Sequence, residues 1–131
     1  MLNKKIAAAS AVLFLGLQVG DVTASDMGRA MQLYQRQQYR LALDHFLAAA
    51  QSGNPFAQEI LGFMHAFGPA LYPGVAADSR AALGWFDLAA RNGRPVGRYM
   101  ACAMARRVQH TRLAQQYCFD WVAETGQPGP R

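Results

Sequence analysis

The residues with the most chemistry to offer lie towards the C-terminal end. Arg91, Arg94, Arg98, Arg106, Arg107 and Arg112 occur there without a single intervening acid. Arg94 and Arg98 fall in or beside the first turn of a helix expected from about Pro95 to Arg107. Cations at that end oppose the helix dipole, at a cost of roughly 0.3 kcal/mol or more each. A helix N-terminus supplemented by Arg is also a ready anion site. One reading is that this end docks a carboxylate, an acidic peptide or an anionic glycan. The other is a solvated face of an Arg-rich protein.

The N-terminus bears on where such chemistry would operate. Lys4 and Lys5 make a positive start, and Ile6 to Leu17 is an apolar run broken only by Ser10 and Gly16. Val22, Thr23 and Ala24 then offer small residues for a signal peptidase. The pattern predicts a secretory signal over residues 1–24, cleaved after Ala24. A retained membrane anchor is the alternative, but the run is well short of the ~20 apolar residues that span a bilayer. No later stretch is apolar enough to do so, so no integral membrane segment is expected after cleavage, and the destination is periplasmic or extracellular. With Lys4 and Lys5 removed, every remaining cation is Arg. Codon usage in a GC-rich genome would explain Arg without Lys, and an acidic partner would explain its concentration at one end. Nucleic acid is not an expected partner, because the export signal is wrong for it and no aromatic-basic binding motif appears.

An even number of cysteines in an exported chain suggests a disulfide, and this chain has two, Cys102 and Cys118. Closing a loop of their spacing would stabilise by roughly 3 kcal/mol in the chain-entropy model. That is substantial for so small a core. Two buried thiols remain the alternative, while a redox or metal role lacks both CxxC and paired ligand spacing. His45, His65 and His110 are scattered, with neither HExxH nor GxSxG. No catalytic residue, metal site or cofactor is therefore expected. His65 lies near an apolar helix face, where it packs or lines a groove.

The elements that would position these groups are legible as repeats. Ala42, Leu43, Phe46, Ala49, Ala50 and Gly53 recur forty positions on as Ala82, Leu83, Phe86, Ala89, Ala90 and Gly93. Ala57, Leu61 and Met64 recur as Gly97, Ala101 and Met104 at the same offset. A weaker third copy, at an offset of thirty-three, pairs Phe119, Ala123 and Gly126 with Phe86, Ala90 and Gly93. Each copy reads as helix, turn, helix. Tyr39, Ala42, Leu43, Phe46, Ala49 and Ala50 follow the spacing of one helical face. Gly53 stops that helix, Asn54 caps the next and Pro55 fits its first turn. That helix runs towards Phe67, and Asp78 or Ser79 caps the one after it. Met27 to about Gln37 supplies the first helix, and about Thr111 to Glu124 the last. Alanines, and Gly62, let neighbouring helices approach closely. The last copy carries Gln115 and Gln116 where the others have Ala or Leu, and Leu113, Tyr117, Cys118 and Trp121 form its stripe. A polar outer face would make it the closing cap. Residues 127–131 form a tail expected to be disordered. The fold expected is all-α, a short right-handed stack of about three antiparallel helical hairpins.

The run Ala57-x3-Leu61-Gly62, then Gly74-Val75-x2-Asp78-x3-Ala82-x2-Trp85-Phe86-x2-Ala89-Ala90-x2-Gly93, resembles the Sel-1-like repeat. That family is an α-solenoid related to tetratricopeptide repeats, and the resemblance covers most of residues 25–126. Cys102 then falls at the Gly62 position of its copy and Cys118 at the Trp85 position, on the two antiparallel helices of the last hairpin. Two departures stand out. His65 replaces the family's usual Tyr, and the inter-helix loop is long, holding Pro69-Ala70-Leu71-Tyr72-Pro73.

The resemblance implies binding. Family members mostly bind proteins or peptides as adaptors and scaffolds. Exported bacterial members include signalling, envelope-assembly and secretion-system immunity proteins, and some cysteine-rich members are associated with β-lactam binding or hydrolysis. The expected function is non-enzymatic protein or peptide interaction in the cell envelope, by a monomer. The alternatives are an immunity protein neutralising a toxin, and a protein that binds or hydrolyses cell-wall or β-lactam compounds. The partner-binding candidates are Arg94, Arg98, Arg106, Arg107, His65 and Tyr72.

Overall fold

Helix boundaries follow the local signals closely. In a computed structural model the described residues are 22–128, the side chains at 22–25 and 120–121 excepted. They form α1 (Val22–Gln35), α2 (Tyr39–Gln51), α3 (Pro55–Phe67), α4 (Ser79–Arg91), α5 (Pro95–Arg107) and α6 (Thr111–Thr125), with a 3₁₀ turn at Gly68–Ala70. No strand occurs among the described residues. Residues 1–21 of the expected leader and 129–131 of the expected tail lie outside them, as does the side chain of Trp121. The bond expected to be cleaved, after Ala24, falls in the first turn of α1.

The Asn54 carboxamide oxygen accepts from the Ala57 N–H at 3.0 Å, and Pro55 opens α3. Of the two residues expected to cap α4, Asp78 does so, its Oδ1 accepting from the N–H groups of Arg80 and Ala81 at 3.0 Å each. The carboxyl of Asp78 is held below its ordinary range, chiefly by these backbone donors. α1 is already helical at Val22, five residues before the expected start at Met27. Neither Gly nor Pro stands between those positions to stop it. It ends at Gln35 because Gln37 takes a positive φ of 58°, and Gln109 takes the same φ after α5.

Each helix packs on the one before it and the one after it in the chain. The helices therefore pair as α1–α2, α3–α4 and α5–α6, with the links α2–α3 and α4–α5 completing the row. One buried cluster joins Ala30, Leu33, Ala42 and Phe46 to Leu61, Met64, Tyr72 and Val75. A second joins Leu83 and Phe86 to Ala101, Cys102, Leu113 and Tyr117. Phe63 packs against both.

The repeat register needs one correction. Helix α4 starts at Ser79 and α6 at Thr111, an offset of 32 at the helix starts, while Gly93 and Gly126, both at positive φ, keep the expected 33 at the ends. Loop length accounts for the drop from the forty-residue offset of the earlier copies. Residues 68–78 separate α3 from α4, whereas only 108–110 separate α5 from α6. Cys118 therefore occupies the position of Phe86, and Tyr117 that of Trp85.

Gly62 has a packing reason. A Cβ there would stand 2.5 Å from the Phe86 ring, so glycine makes room for it. Gly62→Ala gains about 1 kcal/mol of helix propensity but overpacks a site whose ring is fully enclosed, at about 1–3 kcal/mol. The net expectation is a lower melting temperature, read by circular dichroism. An increase would mean that Phe86 yields freely.

Candidate functional site

Helix α5 carries cations at both ends, and the structure treats the two ends differently. At its start, Arg94 occupies the N-cap position and reaches back to α3. It donates from Nε and Nη2 to Glu59 Oε2 and Oε1 at 2.9 and 2.8 Å, and its guanidinium lies 5.3 Å from the Phe56 ring centroid. Glu59 is 5% exposed. The carboxylate that this helix start holds is thus the chain's own. Beside it, buried Gln58 donates to the Ala50 carbonyl at 3.1 Å and accepts from Asn92 Nδ2 at 2.8 Å. These polar side chains tie α3 to the end of α2 and to the α4–α5 turn. Arg98, the next candidate, pairs with Glu124 of α6 at 2.8 Å.

Arg91 pairs with Asp87 at 2.6 Å, and Asp87 also accepts from the Tyr117 hydroxyl of α6. Burial, with the hydrogen bond to Asp87 second, pushes the Tyr117 phenol up to about 12. A raised phenol stabilises the fold fully below the unfolded value near 10, and that contribution is lost as pH rises towards 12. Stability should hold to about pH 10 and then decline, and Tyr117→Phe should flatten the decline. Urea melts across that range, followed by circular dichroism, would show it. Equal pH dependence in both proteins would remove Tyr117 from the effect.

Two further candidates lie elsewhere. Tyr72 is buried. The long loop folds back on the first hairpin, so its ring packs edge-on against Tyr39 and its hydroxyl is 3.3 Å from that of Tyr34. His65 sits in the last turn of α3, half-buried, with its Nδ1 enclosed and without a partner. Its carbonyl accepts from the Asp78 N–H at 2.8 Å, which pins the far end of the loop.

The remaining cations gather at the other end of α5. Arg106 and Arg107 end that helix, and Arg112 lies in the first turn of α6. All three are exposed. Arg107 and Arg112 have no ion pair among the described residues. Residues 99–119 contain no acid. Beside them runs an open groove of about 570 Å³ between α5 and α6, lined by Ala105, Arg106, Gln109, Ala114, Phe119 and Val122 among others. Phe119 is 80% exposed and Val122 46%. The outer face expected to be a polar closing cap is therefore apolar along one strip.

The Cys102–Cys118 disulfide joins the two helices beneath that strip, with Cα atoms 4.9 Å apart. It takes the place of the Gly62–Phe86 contact of the preceding hairpin. Among the described residues no group of three or more His, Cys, Asp or Glu is arranged to hold a metal. No described helix is long and apolar enough to cross a membrane.

Six candidates thus divide three ways. Arg94 and Arg98 are engaged at the start of α5, Arg106 and Arg107 stand together at its end, and His65 and Tyr72 belong to the second hairpin and its loop. The reading by residue type missed Phe119 and Val122 as surface residues and Glu59 as the partner of Arg94. A Glu inside an apolar helix was the available signal for the last of these. No family model, curated protein or solved structure matches the chain.

Proposed function

We propose that the chain is an exported, non-enzymatic interaction module of the Sel-1-like, tetratricopeptide-related kind, a short right-handed α-solenoid that binds a protein or peptide at its C-terminal end. The observation that carries this reading is the open apolar groove between α5 and α6 with arginines beside it. Apolar strips flanked by charge on an otherwise packed helical protein mark interaction surfaces. Supporting it are the repeated small-residue pattern, the row of three hairpins and a disulfide of the kind that persists in oxidising compartments.

The test is capture under crosslinking from envelope extract with the purified oxidised protein, wild type beside Phe119→Asp, followed by mass spectrometry. A partner enriched by the wild type and reduced about tenfold or more by the variant supports the reading. An empty capture, or equal recovery by both proteins, counts against it.

A further inference from the structure

The chain fills two grooves of the same kind itself. Helix α3 covers the first hairpin and α5 covers the second, and in both cases the covered positions are alanines of the hairpin's second helix. Ala50 on α2 is 1% exposed and Ala90 on α4 is 8%. The equivalent residue on α6, in the corrected register, is Val122, at 46%. Ala42 and Ala82 are wholly buried, while their equivalent Ala114 is half-buried. The covering helices share a pattern. Ala57, Leu61 and Met64 of α3 and Gly97, Ala101 and Met104 of α5 lie at i, i+4 and i+7, all of them buried. At the first of these positions contact is close: a Cβ on Gly97 would stand 2.9 Å from the Ala90 nitrogen.

We infer, building on the interaction reading above, that the open end takes an amphipathic helix of a partner protein as a seventh member of the row. Its buried edge carries Gly or Ala, then Leu or Ala, then Met or Leu at the same spacing. The first position is small because Val122 is larger than Ala50 or Ala90. Its flanking edge is acidic, since exposed Arg107 and Arg112 have no ion pair among the described residues. A second copy of this chain fits less well. Its α1 carries exposed Arg29 at the position of Leu61 and Ala101, and two C-terminal ends would bring the arginine clusters together.

The probe is a synthetic helical peptide with Gly, Leu and Met at i, i+4 and i+7 and Glu along one flank, paired with an isomer carrying Lys for Glu. Binding to the full oxidised chain is read by fluorescence anisotropy. The Glu peptide is expected to saturate and the Lys isomer to bind about tenfold more weakly or worse. Val122→Asp should weaken the Glu peptide about tenfold, and Arg107→Glu/Arg112→Glu should reverse the preference between isomers. All these positions are exposed, so circular dichroism melts should remain unchanged. Equal binding of the isomers, or indifference to Val122→Asp, overturns the inference. A dimer dissolved by Phe119→Asp in sedimentation would assign the groove to a second copy instead. Tenfold tighter peptide binding on removal of residues 1–21 would assign it to that segment. If both peptides fail while Phe119→Asp still abolishes capture of a crosslinked partner, the helical occupant falls and the interaction reading stands. Indifference in both assays removes both.

Discussion

Reducing the Cys102–Cys118 disulfide is expected to lower the melting temperature by roughly 12–24 °C. The bridge closes a loop across a sequence separation of 16, worth about 3 kcal/mol in the chain-entropy model. A domain of this size shifts by about 4–8 °C per kcal/mol. The expectation is large because, among the described residues, no further helix packs on α6 to hold it in place. In the preceding hairpin, Gly62 and Phe86 fill the equivalent contact with packing alone. A double variant Cys102→Ala/Cys118→Ala should behave like the reduced protein. Cys102→Gly/Cys118→Phe, which transplants the packing pair, should recover part of the loss. Circular dichroism melts with and without reductant measure all four states. A shift under about 4 °C on reduction would show that α6 is held by Leu113 and Tyr117 without the bridge.

Arg94→Ala is expected to cost roughly 2–3 kcal/mol, measured by urea denaturation. It leaves Glu59 buried without its fork of donors and removes the cover over Phe56. Breaking a buried pair costs about 3–5 kcal/mol, and Arg94 is partly solvated, which places it at or just below the lower end. Glu59→Leu/Arg94→Leu should cost less than Arg94→Ala, because no charge is then stranded. The contrast lies along the same helix. Arg98→Ala removes a bridge to exposed Glu124 and should cost about 1 kcal/mol or less. Arg107→Ala touches no ion pair among the described residues and should lie within about 0.5 kcal/mol of wild type. If Arg94→Ala proves as mild as Arg107→Ala, the Glu59 pair contributes nothing to stability. Arg94 would then belong with the surface arginines.

Much of the fold was legible because its signals are local. A cap acts on N–H groups two or three residues away. Pro55 and Pro95 pre-set the dihedral of a first helical residue, and Gly53 and Gly93 close helices from positive φ. Ala and Phe at helical spacing mark the buried face of each helix without reference to any other. The sequence by itself therefore determined that the chain is helical, where most of the helices begin and end, and that the pattern of α2 and α3 returns forty residues on in α4 and α5. Those boundaries held at Pro55, Phe67, Pro95 and Arg107.

The identities of partners were decided only by the tertiary structure. Six arginines in one stretch look alike as residues. Arg94 is neutralised by Glu59, 35 positions earlier, and Arg98 by Glu124, 26 positions later. Which arginine meets an acid depends on the direction of its side chain and the register of two packed helices. A shift of one residue rotates a helical side chain by about 100°. That same single residue separated the offset of 33, kept by Gly93 and Gly126, from the 32 of the helix starts, and so moved Cys118 from the Trp85 position to the Phe86 position. Tyr72 looked like a surface aromatic in a loop. The loop closes over the first hairpin, and burial of its ring outweighs exposure. Phe119 looked like one more core residue, yet it faces solvent because no described helix covers that side of α6.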